Sequence, residues 1–296
     1  MSARGEGRVV SRFGATLLVR LPDGTVRRAT ARRKLQHVVC GDYVRWEETP
    51  GGLVVSAILP RRNQLVRSYF RGQPRTIAAN IDQVVVVTAH RPAPDWFVVD
   101  KLLVASELLP ADALLLHHKI DLPAPAGLDE MLAVYRGIGY PVLDTTTAEP
   151  ATLDALRAAL RGHTSILIGQ SGVGKSSLTN LLVPEADART AELSEKAELG
   201  QHTTSVAWLY ELPDGGELID SPGIRDFTPP PMPAERYQHG FREFAPLLGQ
   251  CRFHNCLHRR EPGCAVRAAV EAGTIHPQRY AHYLRLLEEA GEGPGH

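Results

Sequence analysis

The octapeptide Gly169-Gln170-Ser171-Gly172-Val173-Gly174-Lys175-Ser176 narrows the possible folds of this 296-residue chain more than any other feature. It has the spacing G-x-x-x-x-G-K-[ST], between an apolar run predicted as a strand, Ser165 to Ile168, and a predicted helix, Ser177 to Leu182. Glycines let successive backbone N–H groups turn inward around phosphate oxygens, and the helix N-terminus adds positive potential. Lys175 is then placed to reach β- and γ-phosphates and the Ser176 hydroxyl to ligate Mg²⁺, within a phosphate site running from Gly169 to Ser177. The surrounding pattern agrees. From residue 81, apolar strands at 84–88, 113–117, 140–144 and 165–168 alternate with helical stretches at 95–109, 128–136 and 152–161, which predicts a parallel sheet covered by helices.

Four further segments complete a nucleotide site. Asp220-Ser221-Pro222-Gly223 ends a predicted hairpin, Ser205 to Leu212 and Glu217 to Asp220, 45 residues after Lys175. There Asp220 is the expected second Mg²⁺ partner, through water, and the Gly223 N–H the sensor of a γ-phosphate. Between the two motifs, Gly200-Gln201-His202-Thr203-Thr204 is a candidate switch loop in which Thr203 or Thr204 ligates Mg²⁺. His118-Lys119-Ile120-Asp121 follows an apolar strand and resembles the guanine-reading element N-K-x-D. Asp121 would accept hydrogen bonds from guanine N1 and N2 while Lys119 covers the ring; adenine offers no matching donor pair, so GTP is expected over ATP. His118 stands where asparagine is usual, and a neutral imidazole offers one donor and one acceptor. Thr145-Thr146-Thr147 is placed to form a lid over the base.

The base-reading loop precedes the phosphate loop, the reverse of the usual order, so the sheet is expected to be circularly permuted, a rearrangement tolerated where new termini fall at exposed loops. One consequence is mechanical: the segment after Asp220 leads directly into the C-terminal region. Ile224 follows Gly223 at the position where a polar side chain would orient attacking water, which predicts slow unassisted hydrolysis. His202 is the candidate to take that role when a partner binds.

The ends of the chain point elsewhere. Lys and Arg total 33, as do Asp and Glu, yet residues 1–75 hold 15 basic and 5 acidic side chains against 18 and 28 in the remainder. Such asymmetry suggests a nucleic-acid-binding portion. Five short alternating stretches up to residue 60 predict a small β-barrel with a basic exterior. At the other end, Cys251-x4-Cys256-x-His258-x5-Cys264 supplies three thiolates and an imidazole, the complement of a closed structural Zn²⁺ site, one ion per chain, in a small helical segment. His254 lies between these cysteines as a competing ligand, and Arg252, Arg259 and Arg260 beside them offer a second anchor for RNA. Cys40 has no partner and is expected in the barrel core. No window approaches 18 uninterrupted apolar residues and the N-terminus has no signal-like stretch, so a cytoplasmic protein without membrane association is expected.

Taken with Ile77-Ala78-Ala79-Asn80-Ile81-Asp82, these motifs and their permuted order resemble the RsgA/YjeQ family of small-ribosomal-subunit-dependent GTPases over nearly the whole chain. The resemblance implies an OB-fold barrel (residues 1–70), a circularly permuted GTPase domain (71–228) and a zinc-binding, mostly helical domain (229–296). It also implies a monomer that binds 16S rRNA late in maturation of the 30S subunit, helps assembly factors leave, and hydrolyses GTP slowly unless the 30S subunit stimulates it. Two rival readings fit less of the chain. A metabolic P-loop kinase explains neither end, and a non-enzymatic RNA-binding protein leaves Lys175, Ser176 and Asp220 without purpose.

Overall fold

A computed structural model describes residues 3–35, 37–69, 72–184, 186, 207–220 and 232–291. Residues 200–204, with His202, Thr203 and Thr204, lie outside the described residues, as do Ser221, Pro222, Gly223 and Ile224. Five strands make the barrel: β1 (Arg4–Phe13), β2 (Thr16–Arg20), β3 (Val26–Ala31), β4 (Tyr43–Thr49) and β5 (Gly52–Ile58). It closes because β1 pairs with both β2 and β4, while β5 joins β3 to β4. Alternation drives the closure. Leu17 and Val19 of β2, and Val44 and Trp46 of β4, point inward onto Val9 and Val55, with exposed or half-buried residues between them.

A hairpin, β6 (Gln64–Tyr69) and β7 (Gly72–Ala79), follows, which the sequence pattern did not announce. Arginines, Gly72 and Pro74 interrupt its alternation, and its stability comes from what it leans on: Ala78 bridges to Cys40 and Ala79 N donates to Cys40 O at 3.0 Å. Cys40 is buried as expected, but among side chains shared by barrel and central sheet, including Val10, Ala78 and Ile81. The motif around Asn80 is the joint. Asn80 Nδ2 donates to Gly41 O (3.0 Å) and its Oδ1 accepts from Arg62 N (2.9 Å), at a backbone φ of 57° that asparagine tolerates well.

The central sheet runs β10 (Val142–Thr145), β9 (Asp112–His118), β8 (Gln83–Ala89), β11 (Thr164–Gly169), β13 (Glu217–Asp220) and β12 (Trp208–Glu211). All but β12 are parallel, and β8 is buried along its whole length. Val84 and Val86 face one core, with α1 (Trp96–Glu107) and α2 (Leu128–Ile138); Val85 and Val87 face the other, with α3 (Thr152–Leu160) and α4 (Lys175–Leu182). Burial on both faces is why these strands read as continuous apolar runs. The sheet does not stop at β12: Trp208 pairs with Ser11 of β1, so barrel and sheet are one hydrogen-bonded surface.

The C-terminal region begins with α5 (Ala234–Tyr237) and two 3₁₀ turns, continues irregularly over residues 248–264, and ends in α6 (Ala265–Glu271) and α7 (Pro277–Gly291). Phe241, Phe244, Tyr283 and Leu287 form its core against Phe97 and Val104 of α1. A buried ionic network reinforces the seam. Arg279 donates to Asp100 Oδ1 (2.5 Å) and forks onto both oxygens of Glu243 (2.7 and 2.9 Å), while Tyr135 and His282 donate to the same Asp100. Arg279 and Asp100 are each 0% exposed, so losing either partner would strand a buried charge. Among the described residues, no helix is long and apolar enough to cross a membrane.

Candidate functional site

The phosphate loop forms where β11 gives way to α4, and its glycines are dictated by crowding. Gly174 has φ 103°, and a Cβ there would lie 2.6 Å from His118 Cδ2. Because this left-handed backbone puts Gly174 at the helix N-cap, α4 starts at Lys175, two residues before the periodicity suggests. Lys175 is nearly buried, its Nζ donating to Gly169 O (2.7 Å) and Gln170 O (2.6 Å), which keeps the ammonium inside the loop. The Gln170 side chain accepts from Asp95 N (2.9 Å), fixing the loop to the start of α1. Ile219 of β13 pairs with Ile166 of β11, so Asp220 lies one register step further on, beside the strand that becomes the loop.

The base-reading segment comes from the end of β9 and packs onto this loop despite lying about fifty residues earlier in the chain. Lys119 Nζ donates to Gly172 O (2.5 Å) and to Arg91 O (3.0 Å). The His118 ring lies against Gly174 and its Nδ1 shares a hydrogen bond with Thr145 Oγ1 at 3.1 Å. One imidazole thus touches the phosphate loop and the threonine segment together, the tie for which asparagine is usual. Burial lowers the His118 pKa, and burial with the neighbouring His90 and His118 lowers that of His117 to about 4, so both rings are neutral near pH 7. Asp121 is the opposite: the Thr146 hydroxyl donates to its carboxylate and lowers its pKa, holding an acceptor ready. Thr145 and Thr146 are buried, with Thr146 N tied to Thr152 Oγ1 at 3.0 Å. Sequence reasoning missed Arg91 and Pro92. The Arg91 carbonyl holds Lys119 and the Pro92 ring walls Gly172, yet a short Pro-containing loop carries no signal of such a role.

The four expected metal ligands converge. Cys251, Cys256, His258 and Cys264 place their ligand atoms within 4.8 Å of one another, and this group could hold a metal ion. His258 Nδ1 lies 3.3–3.5 Å from the three sulfurs, and Cys251 and Cys264 Sγ are 4.0 Å apart. A tetrahedron with metal–sulfur bonds of about 2.3 Å needs sulfurs about 3.8 Å apart. His258 Nε2 lies 2.9 Å from Gln238 Oε1; donation to that oxygen leaves the Nδ1 lone pair facing the sulfurs. Backbone N–H groups of His258, Ala265 and Arg267 donate to the sulfurs at 3.3–3.4 Å. Burial and the neighbouring thiols push the Cys256 pKa up to about 12, so a cation among the ligands is what would favour the thiolates. His254 is exposed and outside the group.

On the barrel, ion pairs sort the cations. Arg27, Arg32, Arg45 and Arg61 pair with Glu48, Glu47, Glu6 and Asp42, while Arg8 and Arg20 reach Glu217. Among the described residues, Arg28, Arg33 and Lys34 are exposed and form no ion pair, which concentrates free positive charge on β3 and the turn after it.

Comparison with known proteins covers the same ground. The profile of the RsgA GTPase family matches residues 58–229. The "Small ribosomal subunit biogenesis GTPase RsgA" of Pseudomonas aeruginosa PAO1 is 44% identical over 290 residues, covering 97% of this chain and 86% of that protein. Its namesake in Azotobacter vinelandii is 45% identical over 294 residues, with the same coverage. Among solved structures, YjeQ from Thermotoga maritima superposes with a TM-score of 0.80 at 29% identity, covering 98% of this chain and 99% of that one. YloQ, a circularly permuted GTPase, gives 0.77 at 26% identity, covering 99% and 97%.

Proposed function

This chain belongs to the RsgA GTPase family and is a GTP hydrolase of ribosome biogenesis, and on that premise we propose how its residues divide the work. The observation that carries the assignment is the packing of the base-reading loop onto the phosphate loop, His118 against Gly174 and Lys119 on Gly172 O. That contact sets one distance between a guanine and its phosphates. Asp121 accepts from the guanine edge, with His118 and Lys119 fixing the loop around it. Residues Gly169 to Ser177 cradle the phosphates. Lys175 neutralises developing charge on the β- and γ-phosphates, and Ser176, Asp220 and Thr203 or Thr204 hold Mg²⁺. Gly223 senses the γ-phosphate and His202 positions water. GTP turnover by His202→Ala in the presence of 30S subunits should fall by about 100-fold or more, the scale of a general-base contribution; an unchanged rate removes that role.

Asp121 sets the base. Asp121→Asn should weaken GTP by about 100-fold or more, since two charge-assisted hydrogen bonds at about 1.5–3 kcal/mol each are lost, and should favour xanthine nucleotides. Competition binding with GTP and XTP measures this, and retained guanine selectivity would refute the assignment.

We assign the ends of the chain to RNA. Arg28, Arg33 and Lys34 on the barrel (residues 1–70) face 16S rRNA of the 30S subunit, and the domain over 229–296 holds one structural Zn²⁺ through Cys251, Cys256, His258 and Cys264. The GTPase domain (71–228) lies between them. The protein works as a cytoplasmic monomer, hydrolyses GTP slowly by itself, and on stimulation helps assembly factors leave. Measuring GTP turnover with and without 30S subunits, at two salt concentrations, tests this. Stimulation that weakens as salt rises is expected; equal turnover in both arms would overturn it.

A further inference from the structure

Strand β1 of the barrel does more than close the barrel. Its Ser11 hydroxyl donates to Ala207 O (2.9 Å) and Ser11 pairs with Trp208, while Phe13 packs edge-on against the Trp208 ring at 5.4 Å. Three residues before Ser11, Arg8 donates to Glu217, the first residue of β13, and to Thr164 Oγ1 (3.1 Å), the first residue of β11. Thr164 and Glu217 are register partners, and the Thr164 hydroxyl also donates to Glu217 (2.8 Å). Arg20 of β2 adds a second guanidinium on the same carboxylate. The three charged side chains are only 10–14% exposed, so this cluster is partly desolvated and weakly screened.

The strands so held matter. At about 3.3 Å per residue, β11 carries the clasp's position about 17 Å to Gly169 and β13 carries it about 10 Å to Asp220. The barrel thus grips the two strands that lead to the phosphate loop and to Asp220. It grips from a place a partner can reach, because exposed Tyr43 accepts from Arg8 (3.1 Å) with the Arg8 guanidinium 4.8 Å from its ring centre.

We propose that the Arg8–Glu217–Arg20 clasp, positioned by β1, transmits occupancy of the barrel by RNA to the hydrolytic site. Glu217, Arg8 and Arg20 are positioning residues. The inference rests on the stimulated hydrolysis proposed above, and the test separates the two. GTP turnover with and without 30S subunits, together with 30S affinity, is measured for the full-length protein, Glu217→Gln and Arg20→Gln. Basal turnover and 30S affinity are expected to stay within about threefold of the parent, while the ratio of stimulated to basal turnover drops about tenfold, inside the 5–150-fold range typical of coupled sites. A variant that folds, binds 30S subunits and keeps the parental ratio overturns the clasp's role. So do basal and stimulated rates that fall in proportion, which would mark the cluster as structural support. No stimulation in the parent protein would instead overturn the reading beneath it. Arg20→Gln decides the matter if Glu217→Gln fails to fold, since Arg8 still satisfies the carboxylate there.

Discussion

Lys175→Ala is expected to lower GTP turnover by about 100- to 1000-fold, the range found when one preorganised donor is removed from a site of developing negative charge. The expectation follows from placement. The ammonium is nearly buried and held by two carbonyls of its own loop, so it would meet phosphates there without having to be ordered first. Alanine removes that charge and leaves Gly169 O and Gln170 O without this donor, at a stability cost of about 1–3 kcal/mol. Thermal unfolding therefore separates the two effects: a Tm shift of a few degrees cannot account for a loss of turnover measured well below it. Ser176→Ala should lose turnover by a different route, through Mg²⁺ affinity, and raising the magnesium concentration should recover part of it. Normal turnover in Lys175→Ala would mean that this loop does not hold the reacting phosphates.

What the sequence disclosed depended on whether a residue's role is local. The strand–turn–helix at Gly169 to Lys175 and the converging Cys/His cluster are legible because their chemistry fixes residue type at short range, and the central strands because burial on both faces leaves them continuously apolar. Periodicity places the helix start two residues after Lys175, whereas a left-handed glycine sets it at Lys175. The β6–β7 hairpin was not legible at all; its partner is Cys40, some forty residues away, and Gly72 and Pro74 hide its alternation. Charge counting was the least informative at residue level. It points to a basic N-terminal region, but cannot tell Arg28 and Lys34, which form no ion pair among the described residues, from Arg8 and Arg20, which the fold commits to Glu217. Nor could adjacency in sequence reveal that the C-terminal module is joined to α1 by Arg279 on Asp100, while Asp95 at the start of the same helix donates to Gln170.

If the Cys/His cluster holds the proposed Zn²⁺, its loss is expected to unfold the C-terminal module while leaving the barrel and sheet intact. Residues 248–264 contain no helix or strand, and what organises them is the ring of backbone N–H groups aimed at three sulfurs together with the His258–Gln238 contact. Without a cation, that arrangement confronts buried thiols and an imidazole with no charge to balance. Structural zinc contributes about 10–16 kcal/mol in small domains, comparable with or above the 5–15 kcal/mol that stabilises an entire domain, so a module this thin in regular structure should not persist without it. Cys256→Ser, or exhaustive chelation, should reduce bound zinc from one ion per chain to none and greatly accelerate hydrogen exchange over residues 248–264. Exchange in β8 and β11 should stay slow, because their core lies in the central sheet. The seam with α1 would then fail in part: Arg279 and Glu243 would lose the fold that holds them, leaving Asp100 with Tyr135. GTP turnover without 30S subunits should survive. Protection over 248–264 that is unchanged in the zinc-free protein would show instead that the aromatic core around Phe241, Phe244 and Tyr283 suffices to hold the module.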